Sequence, residues 1–163
     1  MKKILQFALL CLGIAITLAS CSGSKNLSSA NSSVNVSRGK FTGTWVLNQV
    51  SYEGIVQSAV TTVFDQAPPA AFTGSTWRLT NSGNGIYTLN NGTSQTIYWS
   101  IYNGDAAGQM FQFKKIYQGD KAKNVDTGYR LLVSNNDGRN MTLKSPVNLG
   151  NGTGYVVYTF TKQ

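Results

Sequence analysis

Few side chains in this sequence could carry out covalent or acid-base chemistry: two cysteines, six carboxylates and no histidine among 163 residues. Without an imidazole, the commonest general base and metal ligand is missing. A glycosidase-type pair needs two acids facing each other across a cleft, and a calcium loop needs several acids clustered. Here Glu53 follows a strand-like run, Asp65 lies in a long loop and Asp126 opens a later run. Asp105, Asp120 and Asp137 sit in Asn/Gly-rich turns, where acids ordinarily cap or form Asx-turns. The sequence therefore predicts no enzyme, no metal site and no cofactor. The thiols are more informative. Cys11 lies within the apolar run Ile4 to Ile16, which Lys2 and Lys3 precede, and Cys21 follows Leu18-Ala19-Ser20. A charged start, a short apolar stretch and a small-residue close make the pattern of a secretory signal. The run is too short to be read as a spanning helix.

Leu18-Ala19-Ser20-Cys21 resembles the lipobox of bacterial lipoproteins. The resemblance implies that residues 1–20 are a signal peptide and that the Cys21 sulfur takes a diacylglyceryl group. Palmitate-like acyl chains would then tie the chain to a membrane, since each buried methylene contributes about 0.8 kcal/mol. Ser22 stands where an enteric-type retention signal would place Asp, and no acidic run follows Cys21. The expectation is a lipid-anchored envelope protein of the outer membrane, on its periplasmic face. With Cys11 removed and Cys21 acylated, no free thiol remains, so disulfides and thiolate sites are excluded. Residues 21–40 read as a linker: Ser22 to Lys40 holds seven serines and three asparagines. Such a composition cannot bury enough surface to offset its ordering entropy, and a flexible coil of that length spans roughly 25 Å.

Residues 41–163 read as one domain of short strands. Alternating runs rich in aromatic and β-branched residues cover Thr44–Tyr52, Thr76–Thr80, Gly85–Asn90, Gln95–Tyr102, Gln109–Tyr117, Val125–Ser134, Asn140–Lys144 and Tyr155–Lys162. Period-2 patterning is plainest at Trp77/Leu79, Ile97/Trp99/Ile101, Phe111/Phe113 and Tyr129/Leu131/Val133. Asn/Gly clusters between the runs supply the positive φ that tight hairpins need. Short turns between successive strands predict an all-β, antiparallel up-and-down meander, and closure into a barrel would remove its edges. Gly54 to Gly74 breaks the rhythm. It contains Val60–Phe64, a ninth strand or a short helix, and Pro68-Pro69, which cannot lie in a central strand. A loop of this length is usually a lid or a binding loop.

Gly43-Thr44-Trp45, opening the first strand, resembles the Gly-x-Trp signature of lipocalins, and the likeness continues through Phe72–Leu79, Gly85–Leu89 and Tyr158-Thr159-Phe160. It implies a lipocalin-like barrel of eight or nine strands in which Trp45 seals one end. It also implies a small apolar or amphipathic ligand in the interior. The Thr-Asp-Tyr motif of that family is missing, and the last strand holds no arginine to pack on Trp45. Trp77, Tyr87, Ile97, Trp99, Phe111, Phe113 and Tyr129 are the candidate cavity lining. An eight-stranded barrel either holds one small ligand or is filled by its own side chains, and so many aromatics leave both open. In the second case the protein would act through surface contacts with envelope partners. Of the 14 basic residues, Lys2 and Lys3 leave with the signal, so 12 face six acids. Lys114, Lys115, Lys121 and Lys123 cluster around one expected hairpin. They form either a solvated edge-protecting hairpin or a patch for anionic head groups or an acidic ligand. Export argues against nucleic acid as a partner, and a monomer is expected.

Overall fold

The computed structural model describes residues 34–123 and 125–163. Eight strands form where the alternation places them: β1 (Gly43–Glu53), β2 (Thr76–Leu79), β3 (Asn84–Thr88), β4 (Ser94–Asp105), β5 (Gly108–Lys115), β6 (Tyr129–Asn136), β7 (Asn140–Asn148) and β8 (Thr153–Lys162). Each pairs antiparallel with its sequence neighbour, and β1 also pairs with β8, so the sheet closes into an up-and-down barrel. This is the all-β architecture expected from the sequence, and it is compatible with the lipocalin-like resemblance. Closure satisfies the backbone groups that an open edge would expose.

The turns behave as their residues dictate. Asp105, Asp120 and Asp137 accept backbone N–H groups: from Ala107 at 2.8 Å, Tyr117 at 2.8 Å, and both Arg139 and Asn140 at 2.7 Å. Asn103-Gly104-Asp105, read as a turn, instead finishes β4 beyond a register irregularity after Tyr102, and the reversal comes at Ala106-Ala107. The β5–β6 connection runs from 116 to 128 and is not a tight hairpin; β6 begins at Tyr129 rather than Val125.

Two further expectations are corrected. Val60–Phe64 is neither a ninth strand nor a helix. The loop is built from a 3-10 turn at Gln57–Ala59, an isolated bridge between Val63 and Ala67, and a second 3-10 turn at Pro69–Phe72. Pro68-Pro69 explains the second turn, because proline pre-sets φ at its start. Residues 34–40, read as the end of a linker, lie on the barrel. Val36 is buried and its amide donates to Gln109 Oε1 at 2.9 Å. A short helix α1 (Arg38–Phe41) follows, with Phe41 wholly buried.

Gly43 shows why a glycine opens β1. Its φ is +129°, and a Cβ there would come within 2.4 Å of Lys162 Cε. Any other residue would be strained by its backbone alone.

Candidate functional site

At one end of the barrel, Trp45 is 0% exposed and its Nε1 donates to the carbonyl of Phe41 at 2.7 Å. Phe41 stacks on Phe111 with ring centroids 5.9 Å apart, and Lys162 Nζ lies 5.3 Å from the Trp45 ring centroid. A cation of the last strand thus covers the tryptophan although that strand has no arginine. Arg38 seals the same end: its guanidinium stacks 4.2 Å from the Trp99 ring centroid and donates to the carbonyl of Asn81 at 2.9 Å. A partly exposed cation over indole is worth about 0.5–1 kcal/mol.

The seven side chains singled out as lining come together inside the barrel. Trp77, Tyr87, Ile97, Trp99, Phe111 and Phe113 are buried, and Tyr129 is half-buried. They meet one another: Trp77 stacks on Tyr87 at 4.6 Å, Trp99 on Phe111 at 5.6 Å, and Phe113 lies 5.1 Å from Tyr129. Offset and tilted rings at these separations are a packed aromatic core. The buried indole Nε1 of Trp99 finds no hydrogen-bond partner among the described residues.

The opposite end, the mouth, is closed by a residue that alternation could not reveal. Phe64, from the long loop, is 5% exposed and inserts its ring among Phe113, Phe72, Tyr129, Tyr158 and Trp77, at centroid distances of 5.1, 5.2, 5.3, 5.5 and 6.2 Å. Phe64 and Asp65 have φ of 53° and 45°, the only non-glycine residues with positive φ among those described. Each such conformation costs on the order of 1–3 kcal/mol. Side chains of the barrel hold the pair in place. The Tyr129 hydroxyl donates to Asp65 Oδ2 at 2.8 Å, Lys115 Nζ donates to the Asp65 carbonyl at 3.2 Å, and the Tyr87 hydroxyl donates to Gln66 Oε1.

Two open hollows flank this loop. One, of about 320 Å³, is lined by apolar side chains such as Val60, Phe64 and Val147 together with the hydroxyls of Thr61, Thr62 and Ser145. The other, of about 290 Å³, is lined by Asp65, Lys114, Lys115, Tyr117, Thr127 and Tyr129. Tyr129 and the Phe64-Asp65 pair therefore separate a hollow of mixed apolar and hydroxyl lining from one that Lys114 and Lys115 line. Burial pushes the Tyr87, Tyr129 and Tyr158 hydroxyls above the usual tyrosine range, reinforced at Tyr129 by its bond to Asp65. All three stay protonated donors near neutral pH. The Tyr158 hydroxyl, buried beside Phe64, has no partner among the described residues.

No protein-family model and no curated protein matches this chain. The site must be read from its own geometry. Cys21, the expected lipidation site, lies outside the described residues. Phe64, Asp65, Gln66 and Tyr158 were not singled out from the sequence. Lys115 was, but only as part of a charge cluster; it continues the inward face Phe111/Phe113/Lys115 of β5, a period-2 signal that could have placed it at the mouth. Lys114 Nζ donates to the carbonyl of Lys123 at 2.8 Å.

Proposed function

We propose that this chain is a lipid-anchored lipoprotein of the bacterial cell envelope whose lipocalin-like barrel takes a small apolar or amphipathic molecule at its mouth. The anchor is inferred from the lipobox-like Leu18-Ala19-Ser20-Cys21, and the outer membrane from Ser22. The observation that carries the binding reading is the seat of Phe64. Its walls belong to the strands and to Phe72, whereas its occupant comes from a loop whose backbone is strained at that residue. A concave, aromatic-walled space with a few convergent hydroxyls is the ordinary form of a small-molecule site. With Phe64 withdrawn, its seat would join the hollow that Phe64 now borders. The protein catalyses no reaction in this reading.

A second reading is favoured by the ring-on-ring packing of Trp77, Tyr87, Trp99, Phe111 and Phe113: a filled barrel acting through surface contacts with envelope partners. One experiment separates the two. The native protein is extracted gently from membranes, and small molecules released on denaturation are identified by mass spectrometry. The binding reading expects one apolar or amphipathic species in near-stoichiometric amount. Repeated recovery of only phospholipid in the proportions of the bulk membrane would favour the surface reading.

A further inference from the structure

The mouth offers more than an apolar seat, and the chemistry around Phe64 specifies what kind of molecule would fit there. Within the binding reading, we infer that the ligand is an amphiphilic carboxylate with a planar apolar body, and that Phe64-Asp65 is its built-in stand-in. The pair places an aromatic ring in the cage of Phe72, Phe113, Tyr129 and Tyr158 and a carboxylate one residue away, on the hydroxyl of Tyr129. A ligand of this class would put its ring where Phe64 lies and its acid where Asp65 lies.

Two observations converge on an anion, and a third on a polar edge. Lys115 is on the inward face of β5, and its ammonium donates to a neutral acceptor, the Asp65 carbonyl at 3.2 Å. The one ion pair among the described residues is Lys144 with Glu53, so Lys115 has no carboxylate within salt-bridge distance. A ligand carboxylate in its place would give the ammonium an ionised acceptor instead of a neutral one, turning a hydrogen bond into a hydrogen-bonded ion pair. Tyr129 already donates to a carboxylate, and its proton is held by burial and by that bond, so it would donate equally to an incoming acid. Tyr158 adds a buried, unpartnered hydroxyl against the Phe64 ring. An orphaned buried donor is costly, and a polar edge on the ligand's body would satisfy it.

Displacement is favoured by the loop itself. Releasing Phe64 and Asp65 from positive φ relieves backbone strain at both residues. The pair is joined to the barrel by side-chain bonds that a ligand acid would replace.

The test uses the full chain in nanodiscs of neutral phosphatidylcholine, with empty nanodiscs as blank. Two probes share the naphthylmethyl body and differ in the head group, an ionised acceptor in one and a neutral amide in the other: 1-naphthylacetate and 1-naphthylacetamide. Calorimetric titration should show the acid binding about tenfold more tightly than the amide, the gain from an ionised in place of a neutral acceptor on Lys115. Lys115→Met should abolish that preference, so that acid and amide bind alike. Phe64→Gly, which keeps the loop backbone permissive, should tighten both probes. Equal binding of acid and amide would overturn the carboxylate inference and leave the binding reading standing. Weaker binding to Phe64→Gly would overturn the stand-in role. Absence of binding to both the parent and Phe64→Gly would overturn the inference together with the reading beneath it.

Discussion

At one end of the barrel the closing ring, Trp45, grows from β1 itself; at the other, the closing ring, Phe64, is lowered in from a loop of some twenty residues. Trp45 sits in a regular strand, bonded through its indole to the carbonyl of Phe41 and covered by Lys162. Phe64 is also buried, yet its backbone is left-handed and Thr61, Thr62 and Asp65 beside it are exposed. Burial alone does not distinguish a permanent seal from a removable one. The difference lies in how each ring is tied to the fold: through a strand ladder at the closed end, and through the side chains of Tyr87, Lys115 and Tyr129 at the mouth.

The comparison breaks most sharply under truncation. Trp45→Ala should cost about 3–5 kcal/mol, the usual range for a buried tryptophan, and also strand the carbonyl of Phe41. That is a large share of a typical domain stability of roughly 5–15 kcal/mol. Phe64→Gly loses a ring too, but it regains on the order of 1–3 kcal/mol by removing a bulky residue from positive φ. Thermal melts of the full chain in one detergent should therefore place the Phe64→Gly midpoint several degrees above that of Trp45→Ala. Equal midpoints, or the reverse order, would mean that the two seals are mechanically alike.

The same asymmetry governs what the sequence revealed. Period-2 alternation marks a side chain as inward only when it lies on a strand. Trp45, Trp77, Trp99, Phe111 and Phe113 could therefore be placed inside the barrel before any coordinates. Phe64 could not, because nothing in Thr62-Val63-Phe64-Asp65 signals a left-handed pair; that conformation is imposed by the cage it enters. Lys162 was hidden for a different reason. A lysine at a strand end reads as solvated surface, and its stem only becomes informative once β8 is known to pair with β1. Val36 was missed because isolated valines in a Ser/Asn-rich stretch carry no periodicity. Whether the interior was hollow or filled was left open, since alternation gives the direction of a ring but not the space between facing strands.

A smaller effect contrasts the acids of the two ends. Asp137, in the β6–β7 turn near the closed end, accepts the backbone amides of Asn140 and Arg139 and the Asn140 side chain. These bonds lower its pKa to about 2. A carboxyl depressed in the folded state adds stability that is fully present above its unfolded pKa, near roughly 3.9. That stability is lost as pH falls through about 2. Acidification from pH 5 to about pH 2 should thus erode a contribution that Asp137→Asn already lacks. Denaturant midpoints of parent and variant should converge over that window; a gap that stays constant would show that the turn bonds do not depend on charge.

The removable character of the mouth is tested most directly by two amides with near-identical hydrogen bonds. Leu47 N–H donates to the Ser75 carbonyl and Val63 N–H to the Ala67 carbonyl, both at 2.9 Å. Native-state hydrogen exchange, read residue by residue by NMR at increasing low denaturant, reports the opening each requires. If Phe64 is a seated loop residue, Val63 should exchange through a local opening whose free energy hardly changes with denaturant. Leu47 should exchange only with global unfolding. The same opening free energy and the same denaturant dependence at Val63 and Leu47 would contradict a removable plug and make the mouth as permanent as the end sealed by Trp45.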